Sequence, residues 1–461
     1  MASSPVSVRR RVLPRSPEGW RAAALLALPF LAGVIGLRGL THVMPTFHAG
    51  DELAYHLPTI EQFARQLWTP DLVHYPAAQT PLFHLLVAAW SRVVGLELWR
   101  LRVVEVLISY GVALVLYRLL RRFAGFGMGG AVLLAALFAC SPYVFGQSFI
   151  LVTDNLGLLL TLIAIERLVA FERGGALPAF AGACGAIALA LLTRQSAAWL
   201  GLLAFAVLIL HAPGGRAAPA GGPRWLGRRD TRVLAGGVAL LALAALPLLA
   251  LVLAWHGLVP PTADPASCGL CSPAEGRLGW AGDSRLRAPL YAIAIAAIYG
   301  TLLHGPALWD ELRTGGRRAW RLPLAAAAAG FTALLVVSLA YHTGDEGWIW
   351  RLARSGPEPF GTAWVFWPLV PLGCAVLALV ARRSGWRSLP VLMLGSFLLA
   401  QLATRLAYQK YFDPFVLLAL LLALRPEQLR DRRVLAGCAA VALLSAGFVL
   451  AFVTGAIQYE S

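Results

Sequence analysis

Charge is what this chain has least of: Asp, Glu, Lys and Arg make up 13% of its 461 residues, against roughly 25% in an ordinary soluble domain. Hydrophobic residues account for 59%, and the mean hydropathy is +0.70. No stretch between the apolar runs is both long enough and polar enough to form an independent domain, so soluble enzymes, secreted modules and disordered scaffolds are excluded. Lysine is almost missing: of 39 basic residues only Lys410 is one, in keeping with GC-rich coding and a bacterial source. There is no Walker loop, no dinucleotide-type GxGxxG and no HExxH. No repeat divides the chain into similar halves, which weighs against many transporter architectures.

What is present is arginine in short clusters between hydrophobic runs. The net charge of +16 and pI near 10.4 therefore describe membrane topology and not a nucleic-acid face. Arg9, Arg10, Arg11, Arg15 and Arg21 precede an apolar run from Ala22 to Ile35 with no small-residue cleavage site after it. This predicts an uncleaved first span with a cytoplasmic N-terminus. Further spans are expected near 103–118, 127–146, 154–170, 177–192, 196–211, 234–254, 288–305, 323–341, 361–381, 388–405, 412–424 and 434–454. The expected fold is all-α, a polytopic integral membrane protein of about thirteen transmembrane helices, placed in the bacterial inner membrane.

The stretch Pro81 to Trp99 decides the topology. It carries His84 and Arg92, and its unbroken apolar part, Leu85 to Trp90, covers only about 9 Å against a hydrocarbon core of about 30 Å. It is expected to lie in the interface. If it does not cross, Arg118/Arg121/Arg122, Arg167/Arg173, the Arg216 to Arg232 group, Arg313/Arg317/Arg318/Arg321, Arg382/Arg383/Arg387 and Arg425/Arg430/Arg432/Arg433 join the N-terminus inside. That places 26 of the 39 basic residues in the cytoplasm. If it crosses, every cluster after the first moves outside. The organisation that follows is a membrane module 1–211 with an outer loop 41–102, a basic cytoplasmic linker 212–233, and a C-terminal transmembrane module 234–461.

Unusual residues collect on the outer side of this topology. Asp51 and Glu52 stand where a helical stretch, Leu53 to Leu67, begins; capping and chemistry are both open for them. The same loop supplies His56, His74, Tyr75 and Gln79, with Trp68, Trp90 and Trp99 suited to a site whose substrate is partly dissolved in lipid. Asp154 opens a span, where a carboxylate is costly unless paired or wet. Arg194, flanked by Thr193, Gln195 and Ser196, lies on the side that positive-inside statistics disfavour. It either snorkels to headgroups or holds an anion such as a lipid phosphate. Arg351, Arg354, Arg405 and Lys410 add cations on that side, pointing to an anionic substrate. Cys268 and Cys271 form a CxxC in an outer loop, read as a local disulfide, with redox catalysis the alternative and a four-ligand zinc site disfavoured; Cys140, Cys184, Cys374 and Cys438 lie in spans as packing residues.

Taken in order, these motifs resemble the GT-C superfamily, polytopic glycosyltransferases that use lipid-phosphate-linked sugars on the outer or lumenal face. The matching residues are Asp51-Glu52 after the first span, the His74 to Leu86 stretch, Asp154 at a span opening and Arg194 at a later outer break. Protein O-mannosyltransferases and lipid A aminoarabinose transferases carry Lys-Gly-Pro at that break. Thr193-Arg194-Gln195-Ser196 is more similar to the Arg-Gln-Thr-Asn of the alpha-1,2-glucosyltransferase that completes the dolichol-linked oligosaccharide. That family's Asp-Glu-Ile-Phe-His-Ile-Pro also resembles Asp51 to Pro58, with one extra residue here before the His. The resemblance covers most of the first 200 residues, and beyond them the Tyr411 to Pro414 region.

The resemblance implies transfer of a sugar from a polyprenyl-phosphate donor to an acceptor hydroxyl, inverting, on the extracytoplasmic face. It implies Asp51 as the base, with Glu52 its competitor, Asp154 orienting acceptor or base, and Arg194 binding the donor phosphate with Lys410 or Arg405. His56, His74, Tyr75, Gln79, Gln195 and Arg351 complete the expected substrate-binding set. The scheme needs no bound metal, although three acids near one site offer ligands for Mg2+. The competing class is a carrier or flippase for a lipid-linked anion, which predicts ionisable residues near span centres; here they gather at span ends.

Overall fold

The computed structural model describes residues 17–41, 50–211, 231–263, 285–340, 347–404 and 407–453. Cys268 and Cys271 fall outside the described residues, as does Arg405. Every regular element described is a helix. In chain order these are α1 (Pro17–Gly36), a π turn (Glu52–His56) running into α2 (Leu57–Arg65), α3 (Leu82–Val94), α4 (Leu98–Arg122), α5 (Met128–Ala139), α6 (Pro142–Phe145), α7 (Asp154–Gly174), α8 (Leu177–Thr193) and α9 (Trp199–His211). The second half holds α10 (Thr231–Trp255), α11 (Arg287–Thr314), α12 (Gly316–Val336), α13 (Trp348–Arg354), α14 (Phe366–Ser384), α15 (Leu389–Ala400), α16 (Gln409–Ala423) and α17 (Arg432–Val453).

The protein is an integral membrane protein. Seven described helices are long and apolar enough to cross a bilayer, or eight if one bent pair counts as a span. Each expected span coincides with a helix, but several are shorter than a full crossing, such as Leu177–Thr193 and Leu389–Ala403, so helix length does not by itself return the number thirteen. The bent pair corrects the continuous span expected at 127–146. Its two parts, Met128–Ala139 and Pro142–Phe149, meet at 67°. The cause is local: Pro142 has no N–H to continue the helix and drives Ser141 into an extended conformation, φ −63° and ψ 150°. The first outer loop also ends earlier than expected, because α4 begins at Leu98 after an extended Glu97.

The hairpin α2–α3 behaves as its composition requires. At about 1.5 Å per residue α3 reaches about 20 Å, short of the hydrocarbon core. It is bound to its neighbours instead. Arg92 donates to the Ala64 carbonyl of α2 at 2.6 Å, Trp90 Nε1 to the Arg100 carbonyl at 3.1 Å, and Arg100 to the Val94 carbonyl at 2.8 Å. Gly95, at φ +88°, makes the turn that ends α3. Thr80 then donates to the Leu191 carbonyl at 2.8 Å, tying the hairpin to the end of α8 beside Arg194.

Charges sort to the other ends of the same helices. Arg118 of α4 pairs with Glu166 of α7 at 2.7 Å, Arg382 of α14 with Glu311 of α11 at 2.7 Å, and Arg433 of α17 with Asp431 at 2.9 Å and with Asp310 of α11. The halves of the chain meet through aromatic packing. Trp199 of α9, fully buried, sits edge-on to Phe397 of α15 at 5.6 Å and Phe415 of α16 at 5.4 Å. Cys184 and Cys438 are buried free thiols and Cys140 and Cys374 half-buried ones, as packing residues would be.

This arrangement predicts that single thiols in a cysteine-free background at Leu96, in the turn before α4, and at Ala124, just beyond its other end, label from opposite sides of the membrane. Labelling of both from one side would contradict it.

Candidate functional site

Two adjacent acids have different surroundings. Glu52 is completely buried, and its carboxylate is gripped by the Arg102 guanidinium through Nε to Oε1 at 2.9 Å and through Nη2 to Oε2. Oε1 also accepts the Leu151 N–H at 2.7 Å, and Arg102 donates to the Leu40 carbonyl at 3.2 Å. A charge taken out of water is tolerated only with this kind of bidentate, hydrogen-bonded partner. The pair joins the segment after α1, the first turn of α4 and the strand-like stretch before α7.

Asp51 points elsewhere. Its backbone is helical, φ −58° and ψ −40°, and its side chain makes no capping bond, so capping does not account for it. Its carboxylate lies 3.7 Å from the Lys410 ammonium, with the Asp side chain 26% exposed. Asp154 has a cation of its own. It is the first residue of α7, after an N-cap Thr153 that itself makes no side-chain cap bond, and it ion-pairs with Arg194, the extended residue that closes α8. Tyr411 stands between the two cations: Arg194 lies over its ring at 5.0 Å and Lys410 at 5.1 Å. Four of the residues singled out in the sequence, from four separate places in the chain, are thus brought into one charged cluster.

Three members of that cluster, Asp154, Arg194 and Lys410, line a pocket with Tyr411, and Leu158, Trp199, Phe397 and Phe415 are among its apolar lining residues. Thr161, also on the wall, is two turns along α7 from Asp154, about 10 Å further along the helix. Gln79 and Gln195 line it too. Gln195 Nε2 donates to the carbonyls of Ala78 at 2.8 Å and Leu258 at 2.9 Å, pinning the segment before α3 and the segment after α10 to the α8–α9 break.

His56 is buried beside the cluster. Its Nδ1 lies 2.9 Å from Nε2 of His84, and the two rings stack at 5.1 Å and 16°. Burial holds His56 down at about 4, against the upward pull of Asp51 and Asp154; Lys410 and Arg194 add to the lowering. Burial also places His84 well below the ordinary histidine range, so the pair is neutral and shares one proton across its bond.

The remaining expected residues are placed outside the pocket wall. Tyr75 is buried and donates from its hydroxyl to the Gln79 carbonyl at 2.8 Å. His74 faces outward, 3.1 Å from Asp71, whose carboxyl is lowered by the backbone N–H groups of Val73 and His74. Arg351 is half-buried on α13 and is not on the pocket wall. Asp51 and Asp154 each face a cation, and no group of three or more His, Cys, Asp or Glu able to hold a metal occurs among the described residues.

Three residues escaped the sequence reading. Arg102 could have been found by the logic that found Arg194, since the expected topology puts it too on the side that disfavours arginine. Glu105, one turn after Arg102, is fully buried with neither oxygen bonded among the described residues. Gln147, in the short 3-10 turn Gly146–Phe149, lines the pocket, and nothing in its immediate sequence marks it.

Residues 78–219 match the model of the family described as dolichyl-phosphate-mannose-protein mannosyltransferase. Two solved structures are similar to the chain. ArnT from Cupriavidus metallidurans in the apo state is 14% identical, over 87% of this chain and 77% of that one, with a TM-score of 0.39. The same protein bound to undecaprenyl phosphate is 16% identical, over 88% and 78%, with a TM-score of 0.41. No curated protein matches.

Two outcomes follow from the buried pairs. Arg102→Ala strands the Glu52 carboxylate and should cost about 3–5 kcal/mol, read as a lower thermal midpoint in detergent, whereas Arg102→Met with Glu52→Gln should recover most of it; equal loss in both would remove the ion-pair account. Because His56 takes up a proton less readily folded than unfolded, its share of the stability is present above pH 6.5 and is lost as pH falls towards 4. The effect is on the order of 3 kcal/mol, and His56→Gln should flatten the slope of thermal midpoint against pH between those limits. An unchanged slope would count against it.

Proposed function

We propose, from the match of residues 78–219 to the dolichyl-phosphate-mannose-protein mannosyltransferase family model, that the protein transfers a sugar from a polyprenyl-phosphate donor to an acceptor hydroxyl, on the extracytoplasmic face, with inversion. The observation that carries the proposal is the pocket itself. Two cations, Arg194 and Lys410, line it together with the apolar Leu158, Trp199, Phe397 and Phe415, and the Asp51 carboxylate lies against Lys410. An anion with a long hydrocarbon tail suits the cations and the apolar lining, and the carboxylate is a base beside them.

In the reaction, the acceptor oxygen attacks the anomeric carbon while the bond from that carbon to the phosphate oxygen breaks. Asp51 takes the acceptor proton, and the electron pair of the broken bond leaves on the polyprenyl phosphate. A phosphate needs no proton to depart, so one base suffices, and attack opposite the leaving group inverts the centre. The charge that grows on the phosphate is met by Arg194 and Lys410, already oriented by Asp154 and Tyr411. Glu52 is the less suitable base because both its oxygens are engaged by Arg102. His56 contributes a neutral hydrogen-bonding ring beside the base, and the scheme requires no metal.

Asp51→Asn should lower kcat by about 10^2–10^4-fold with membrane abundance unchanged. An active Asp51→Asn together with an inactive Glu52→Gln would move the base by one residue. Arg194→Ala should raise KM for the donor about tenfold or more, the scale of one charged hydrogen bond; unchanged donor dependence would remove its phosphate role.

A further inference from the structure

Lys410 and Tyr411 reach the pocket from the first turn of α16, and that turn is weakly tied to its own helix. Pro414 has no N–H to offer the Lys410 carbonyl, and Tyr408, the N-cap, makes no side-chain capping bond. Side chains on a neighbouring face supply the hold. Gln409 and Asp413 lie one turn apart beside the pocket-lining Lys410, Tyr411, Pro414 and Phe415, and both are fully buried. Gln409 Nε2 donates to Asp413 Oδ2 at 3.0 Å, spanning the place where the proline interrupts the backbone ladder. Asp413 is fixed in turn by the Tyr299 hydroxyl of α11, which donates to Oδ1 at 2.8 Å and to Oδ2 at 3.0 Å. Gln409 Oε1 accepts from the Tyr291 hydroxyl, also on α11, and from the Ile349 N–H of α13, each at 3.2 Å. Gly347, at φ +135°, lets α13 close on this amide, since a Cβ there would fall 2.4 Å from Gln409 Cβ.

We propose that Asp413 is a positioning residue for donor binding: through Gln409 it fixes the turn of α16 that presents Lys410, with Tyr411 beside it, to the donor phosphate. This rests on the phosphate role given to Lys410 above. For stability alone an apolar side chain would fill this place at less cost than a carboxyl, because the bonding partners of Asp413, Tyr299 and Gln409, are neutral. The carboxyl supplies direction instead. It joins α11 to the first turn of α16 through hydrogen bonds of defined geometry, and Gln409 extends the same chain to α13. An ammonium on a loosely held turn would have to be ordered as the phosphate arrives, and that cost appears as lost affinity.

The test uses the full chain in nanodiscs with bare polyprenyl phosphate as the ligand. Lys410→Met should weaken binding about tenfold or more, the scale of one charged hydrogen bond. Asp413→Asn keeps the shape but turns an amide N–H2 towards groups that donate, and should weaken binding about tenfold; Gln409→Leu should behave alike. In a Lys410→Met background the same two substitutions should change binding by less than about twofold, because no ammonium is left to place. Equal losses in both backgrounds, or wild-type affinity in both single variants, would overturn the positioning role and leave the phosphate role of Lys410 standing. Amide exchange over residues 411–416, which needs no ligand, should quicken about tenfold or more in Asp413→Asn while α11 keeps its protection; unchanged exchange would also overturn it. Lys410→Met that binds the carrier as the wild type does would overturn the phosphate role, and this assignment with it.

Discussion

The buried ion pair between Glu52 and Arg102 is the constraint on which the site depends. It is formed by residues fifty positions apart, with both side chains out of water. Two charges in that setting have no acceptable arrangement other than each other, so the chain before α2 must stay docked against α4. The Leu151 N–H bonded to the same carboxylate brings in the stretch leading to α7. Asp51 is the next residue along from Glu52 and Asp154 is three residues beyond Leu151. Both acids of the cluster are therefore located by one salt bridge that touches neither of them.

Within the cluster each acid is matched by a cation from a distant element, Asp154 by the end of α8 and Asp51 by the start of α16. The pairing keeps the resting pocket close to neutral, which lowers the cost of holding four charges near the bilayer. On the proposed function, an arriving phosphate would meet cations that are already aimed, by Asp154 in one case and by the Tyr411 ring in both. It need not order flexible side chains on arrival, and pre-organisation of this kind raises affinity. Because Lys410 and Tyr411 come from the second half of the chain and Asp154 and Arg194 from the first, the aromatic contacts of Trp199 with Phe397 and Phe415 do more than fill space. They hold the two sets of charges in register.

The sequence made the helical fold legible because lipid enforces it: a chain this apolar has only helices with which to satisfy its backbone, and arginine clusters mark the loops. Asp154, Arg194 and Lys410 were legible for a related reason, since each is a charge where charge is costly. The bend at Ser141–Pro142 was missed because hydropathy averages over a single proline. The partnership of Glu52 with Arg102 was not legible, since a contact across fifty residues leaves no local signature; Glu52 stood as the competitor of Asp51 for the role of base. Tyr75 and His74 looked alike in the sequence as well. Only packing sends one inward to the Gln79 carbonyl and the other out to Asp71.

A pocket lined by cations and apolar side chains suits a carrier as well as an enzyme, and the role proposed for Asp51 as a base is what separates the two. Purified protein in proteoliposomes, supplied with a polyprenyl-phosphate-linked sugar labelled in the sugar and separately in the lipid, measures this directly. The account predicts that the two labels part, with free polyprenyl phosphate left in the membrane and one released for each sugar transferred. Movement of the intact doubly labelled lipid between leaflets, with no cleavage, would contradict it.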